Sequence, residues 1–168
     1  VVSWLSLKGA TAGTLRCTTP EVGDSPKMPE DELLAEVFRP RILIVDDEET
    51  VRGVLHAMLE SRGEYDLFEA ADGIEAQELL KVNDIDVVVT DLLMPKLDGL
   101  ALMQWAQENR PGSMWIILTA QGSFDAAVRA VQLGAFDFIA KPLDTMEPLL
   151  IAVRNAVRQK QLSREREK

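Results

Sequence analysis

Five polar positions in this sequence could do chemistry together: the acid pair Asp46-Asp47, then Asp91, Thr119 and Lys141. The acids and the threonine directly follow apolar runs of β-forming residues, and Lys141 comes two residues after a shorter one ending at Ile139. Singly, each has an ordinary reading. Asp91 could cap the turn marked by Pro95, Asp98 and Gly99, Thr119 could be a strand-end hydroxyl, and Lys141 a solvated surface lysine. Gathered in one place they read differently. Three carboxylates sharing a pocket repel one another and do not all stay ionised without a cation. A hard divalent ion with oxygen ligands, Mg²⁺ above all, meets that need, because it accepts one or two carboxylates, keeps waters and binds phosphate oxygens. An ammonium and a hydroxyl suit further phosphoryl oxygens. One carboxylate is then free to attack phosphorus and become an aspartyl phosphate, with positioning and charge neutralisation carrying the transfer.

The elements between these residues are of the kind that would gather them. Ile42 to Val45, Tyr65 to Ala70, Ile85 to Thr90 (broken only by Asp86), Met114 to Leu118 and Phe136 to Ile139 read as five strands, the second more polar and suited to a sheet edge. Between and after them, Glu49 to Arg62 (ending at Gly63), Gly73 to Lys81, Leu100 to Asn109, Phe124 to Leu133 (closed by Gly134) and Glu147 to about Leu162 read as helices. Strands alternating with helices of about a dozen residues indicate βαβ units and a parallel sheet covered on both faces. Right-handed crossovers put the carboxyl ends of all strands on one edge, where ligands bind in open α/β sheets. All five polar positions fall on that edge.

Composition narrows the function classes. The net charge of -10 argues against direct binding of nucleic acid by this chain and against docking on an anionic membrane. One cysteine, Cys17, excludes an internal disulfide and one histidine, His56, excludes a His-rich metal site; a reducing, cytoplasmic setting fits. No apolar run reaches the roughly 20 residues needed to span a bilayer, and Val1 to Leu7 has no basic region ahead of it, as a signal peptide would.

The segments Ile42-Leu43-Ile44-Val45-Asp46-Asp47-Glu48, Asp91-Leu92-Leu93-Met94-Pro95-Lys96-Leu97-Asp98-Gly99, Ile117-Leu118-Thr119-Ala120 and Gly134 to Pro142 together resemble the receiver domain of bacterial two-component response regulators, CheY-like, over about residues 39 to 160. The resemblance implies a flavodoxin-like doubly wound (βα)5 fold with a five-stranded parallel sheet in the order 2-1-3-4-5. It implies that Asp91 accepts a phosphoryl group from a histidine kinase or phosphotransfer protein. Asp47, Asp91 and the Leu93 carbonyl would ligate Mg²⁺ directly, and Asp46 mainly through water. Thr119 and Lys141 would hold the phosphoryl group, and Lys141-Pro142 would be a cis bond. Thr119 and the aromatic Phe138 would be the switch. Lacking a hydroxyl, Phe138 would act by packing alone. The affected surface would be the fourth helix, fifth strand and fifth helix, serving an output domain or effector protein, or a homodimer. Ala126, Ala127, Val128, Ala130 and Val131 give the fourth helix more apolar residues than one buried stripe needs. Leu93 and Gln121 occupy positions that tune the lifetime of the phosphate, and an apolar Leu93 predicts slow self-hydrolysis. Such a chain is not an enzyme but a phosphoacceptor that assists its own phosphorylation and dephosphorylation.

Two other classes compete. A phosphatase of the haloacid dehalogenase type also uses a strand-end Asp and Mg²⁺, but needs a second acid two residues on, where this chain has Leu93. A phosphate-independent interaction domain on the same fold would be expected to have lost an acid, the threonine or the lysine, and none is lost. His56 lies in the first helix with nothing around it resembling a phosphotransfer motif, so its expected role is packing or surface. Residues 1–38 read as an extension or linker with a short amphipathic helix over about 29–38, carrying Leu33, Leu34, Val37 and Phe38 behind Pro29. Residues 161–168 read as a solvated, mixed-charge helix end leading to an output domain outside the chain, with a stand-alone receiver as the alternative. The start at Val1 rather than Met fits a fragment or processed chain.

Overall fold

Four apolar runs and one amphipathic one form the strands β1 (Arg41–Val45), β2 (Asp66–Ala70), β3 (Val87–Asp91), β4 (Met114–Thr119) and β5 (Asp137–Ala140). Helices α1 (Glu49–Glu60), α2 (Gly73–Val82), α3 (Gly99–Asn109), α4 (Phe124–Gln132) and α5 (Glu147–Arg166) alternate with them. The computed structural model describes residues 38–120 and 124–168. Cys17, Gln121 and the expected helix before Phe38 lie outside the described residues. The five strands form one parallel sheet in the order β2-β1-β3-β4-β5, the order the receiver resemblance implied.

The period of two along a strand sends successive side chains to opposite faces, so each central strand feeds two cores. Leu43, Val45, Val88 and Ile117 pack with Leu80, Leu102, Met103 and Ala106 of α2 and α3. Ile42, Ile44, Val87, Val89, Ile116 and Leu118 pack with Leu55 and Leu59 of α1 and with Leu149, Val153 and Ala156 of α5. Burial on both sides is why β1, β3 and β4 carry almost unbroken aliphatic runs.

Local chemistry sets the helix starts. The Asp72 carboxylate accepts the Glu75 N–H at 2.9 Å at the head of α2, and Asp98 accepts the Ala101 N–H at 2.8 Å at the head of α3. After α4 the chain reverses through Gly134 at φ 91°, a left-handed conformation that favours glycine.

Several boundaries and faces differ from the sequence reading. Asp91 is the last residue of β3 rather than the first beyond it. β5 starts at Asp137, and on this edge strand every residue but the partly buried Ile139 is exposed. In α2 the buried positions are Gly73, Ala76 and Leu80, while Ile74 is exposed. α5 continues to Arg166 as one helix, so residues 161–166 are a helix end as read from the sequence, but a less solvated one. Its last turns are pinned: Arg164 donates to the buried Asp86 carboxylate at 2.8 Å and lies 4.5 Å from the Phe38 ring, and Lys160 donates to the Gly112 carbonyl. This end of the helix is held by the domain and is not a freely solvated tail. Among the described residues no helix is long and apolar enough to cross a membrane.

Candidate functional site

β1 and β3 are neighbours at the centre of the sheet, with Val45 opposite Thr90. Their next residues, Asp46 and Asp91, therefore leave the same edge side by side. β4 lies on the other flank of β3, and Thr119 at its end faces Ala140 of β5. The following residue, Lys141, donates its backbone N–H to the Thr119 carbonyl at 2.6 Å, which turns the lysine back over the sheet edge. The Lys141-Pro142 bond is cis, as the resemblance implied.

Asp46, Asp47 and Asp91 each bring an oxygen within 4.8 Å of the others. Asp46 is wholly buried, Asp91 nearly so and Asp47 is exposed. The Lys141 ammonium bridges the two buried acids, at 2.9 Å from Asp46 Oδ2 and 2.7 Å from Asp91 Oδ2. The remaining oxygens are occupied: Asp46 Oδ1 accepts the Glu48 N–H at 2.9 Å, and Asp91 Oδ1 accepts the Leu93 N–H at 3.1 Å. Burial by itself would lower the affinity of the ammonium for its proton; the hydrogen bonds and charges of Asp91 and Asp46 together outweigh it and hold the Lys141 pKa above its ordinary value. Lys141 therefore stays cationic at neutral pH.

Three carboxylates face one ammonium, so ionised acids leave a surplus negative charge at an all-oxygen corner. That donor set fits a hard divalent cation. The sequence-predicted site residues Asp46, Asp47, Asp91 and Lys141 are brought together by these contacts and this cluster, and Thr119 is tied to Lys141 through the backbone. Thr119 is itself 6% exposed at the end of β4. The Leu93 side chain is exposed, as is Phe138, 51% accessible on the outer strand beside Ile117. Gly99 sits against the Asp91 carbonyl where a side chain would collide, so the turn after Asp91 admits only glycine there.

One contact was not read from the sequence. Arg52 Nη1 donates to the Asp46 carbonyl at 2.8 Å. Its signal was its place in α1, the helix that starts directly after the acid pair, from which a long side chain reaches back to the end of β1. His56 lies in a different setting, with Nδ1 3.2 Å from Glu69 Oε2 and Nε2 4.0 Å from Glu60.

The comparisons agree with the geometry. A family model described as the response regulator receiver domain matches residues 42–154. The chain belongs to this family. Among curated relatives, this receiver domain is 41% identical over 106 residues to the response regulator protein PilR of Pseudomonas aeruginosa, covering 63% of this chain and 24% of that one. It is 39% identical over 114 residues to the DNA-binding transcriptional regulator NtrC of Escherichia coli K12, covering 67% and 24%. The chain thus spans about a quarter of the length of these relatives. A solved receiver domain protein from Clostridium thermocellum superposes with a TM-score of 0.69 at 36% identity, covering 73% of this chain and 98% of that one. NtrX from Brucella abortus superposes at 0.70 and 28% identity over 77% of this chain but 30% of its own length.

Proposed function

We propose that this receiver accepts a phosphoryl group on Asp91 from a phosphohistidine of a histidine kinase or phosphotransfer protein, in a Mg²⁺-dependent reaction, and is not an enzyme with a separate substrate. The observation that carries the reading is the surplus of acids around a single bridging ammonium at the strand ends. Asp47, Asp91 and the Leu93 carbonyl would hold Mg²⁺, with Asp46 reaching it through water. The ion would neutralise phosphoryl oxygens and draw the acids together. An Asp91 oxygen attacks phosphorus; the new O–P bond forms as the P–N bond to the donor imidazole breaks, and the imidazole keeps that electron pair. Lys141, already 2.7 Å from Asp91, follows the charge onto a phosphoryl oxygen, and the Thr119 hydroxyl donates to another. An apolar groove of about 530 Å³ opens beside Lys141, lined by Val51, Val54, Pro142, Leu143 and Met146 among others, and offers a donor protein an apolar seat.

The output is a change of surface on α4, β5 and α5. Phe124, Val128, Val131 and Phe138 are exposed there. Engagement of Thr119 by the phosphoryl group draws the end of β4 inward and lets Phe138 pack behind it, which alters the affinity of that face for an output domain, an effector or a second receiver. The match covers only 24% of the relative named as DNA-binding. DNA binding by the whole protein would therefore belong to a further domain, consistent with the net charge of -10 here. A cytoplasmic location and slow self-hydrolysis past the apolar Leu93 belong to the same reading; a Leu93→Asn variant should lose phosphate faster.

Intact mass after incubation with acetyl phosphate tests it. One phosphoryl adduct should form, should need Mg²⁺ and should be absent from Asp91→Asn. No adduct on folded protein, beside a receiver that labels, would instead favour a phosphate-independent interaction domain.

A further inference from the structure

The peptide joining Asp46 to Asp47 carries two of the three acids, and its oxygen, the Asp46 carbonyl, lies past the last paired residue of β1. Among the described residues no backbone N–H donates to that oxygen. Arg52 does, at 2.8 Å, and the contact is sheltered: the Arg52 side chain is 17% exposed. A second edge of the same guanidinium faces β2, with Nε 3.5 Å from Glu69 Oε1, while the other Glu69 oxygen lies 3.2 Å from His56 Nδ1. The planar fork thus ties the end of β1 to β2, which a point-like ammonium cannot do equally well. Turning the 46–47 peptide unit would swing both carboxylates, so whatever fixes its oxygen fixes their aim.

We propose that Arg52, braced by Glu69, is a positioning residue that sets the Asp46-Asp47 pair for Mg²⁺; this rests on the reading of the site given above. The alternative for a cation at this place is purely electrostatic, and the two differ in sign. A guanidinium acting only as a charge repels Mg²⁺, so removing it would tighten binding. A guanidinium that orients the ligands behaves like other outer-shell partners, whose loss weakens metal affinity roughly 10- to 100-fold.

The test is calorimetric Mg²⁺ titration of the full chain and its variants, with a thermal melt in EDTA for each as the control for folding. Arg52→Met should bind Mg²⁺ about 10-fold more weakly, and Arg52→Lys, which keeps the charge but not the fork, should fall between it and the original. Glu69→Gln should weaken binding about threefold in the original chain and hardly at all in the Arg52→Met background, the coupling expected of residues that touch and act as a unit. Should Arg52→Met fail to fold, the Arg52→Lys and Glu69→Gln titrations decide on their own. Unchanged or tighter Mg²⁺ binding by the folded Arg52 variants would overturn the proposal while leaving the site intact. An original chain that shows no Mg²⁺ binding sensitive to Asp47→Asn would overturn the reading of the site and this proposal with it.

Discussion

At opposite edges of the sheet, this receiver buries a carboxylate against a cation from much later in the chain. At the amino edge Asp86, 2% exposed, accepts the Arg41 N–H on one oxygen and Arg164 on the other, both at 2.8 Å. At the carboxyl edge Lys141 bridges Asp46 and Asp91, with Asp47 alongside. Burial and hydrogen bonding are alike at the two ends. The difference is balance. One acid meets one arginine at the first, whereas three acids share one ammonium at the second. A buried ion pair whose charges match holds structure, and one whose charges do not match is waiting for another ion. Excess charge, rather than burial, separates the functional end from the structural one.

Substitutions at the two ends should sharpen that contrast. The largest effect is expected from Lys141→Met, which leaves two buried carboxylates without a cation. In EDTA it should lose about 3–5 kcal/mol, the range for breaking a buried pair, and Mg²⁺ should return part of it, as read by urea unfolding with and without the ion. Arg164→Met should lose roughly 3 kcal/mol, the low end of that range, because the Arg164 side chain is 40% exposed. Its loss should be the same with and without Mg²⁺, and acetyl phosphate should still label Asp91. A Mg²⁺-dependent loss at Arg164 would erase the distinction between the ends. Asp47→Asn removes one of the mutually repelling acids and should raise stability in EDTA by about 0.5–1 kcal/mol while abolishing the stabilisation by Mg²⁺.

The smallest effect is one of pH. The folded pKa of Lys141 is raised, so its contribution is complete below the unfolded lysine value of about 10.4 and disappears only as pH rises through the higher folded value. From pH 7 to about 9.5 this pair should therefore add no slope to stability. The alkaline loss beyond that should be missing from Lys141→Met in urea midpoints measured across the range.

The functional end was legible because each of its residues directly follows an apolar strand or lies close behind one, and parallel topology converts that pattern into proximity. The structural end was not. Asp86 looked like a blemish in the run that became β3, and Arg164 like one charge among many beyond Leu162. Their meeting across 78 positions depends on how far α5 runs, which no local pattern states. Arg52 escaped for another reason: its partner is a backbone carbonyl, and carbonyls carry no side-chain signature. Phe138 was legible as a switch candidate, but its exposed placement follows from β5 being the edge strand.

Lys141 is also the last residue of the site to leave the ribosome, 50 positions after Asp91. Until β5 has added to β4 and turned the lysine over the edge, a growing chain holds its Asp91 carboxylate without the ammonium that meets it. A product truncated before that point has the acids without the ammonium that bridges two of them, so the complete charge arrangement of this corner requires that the whole sheet has been built.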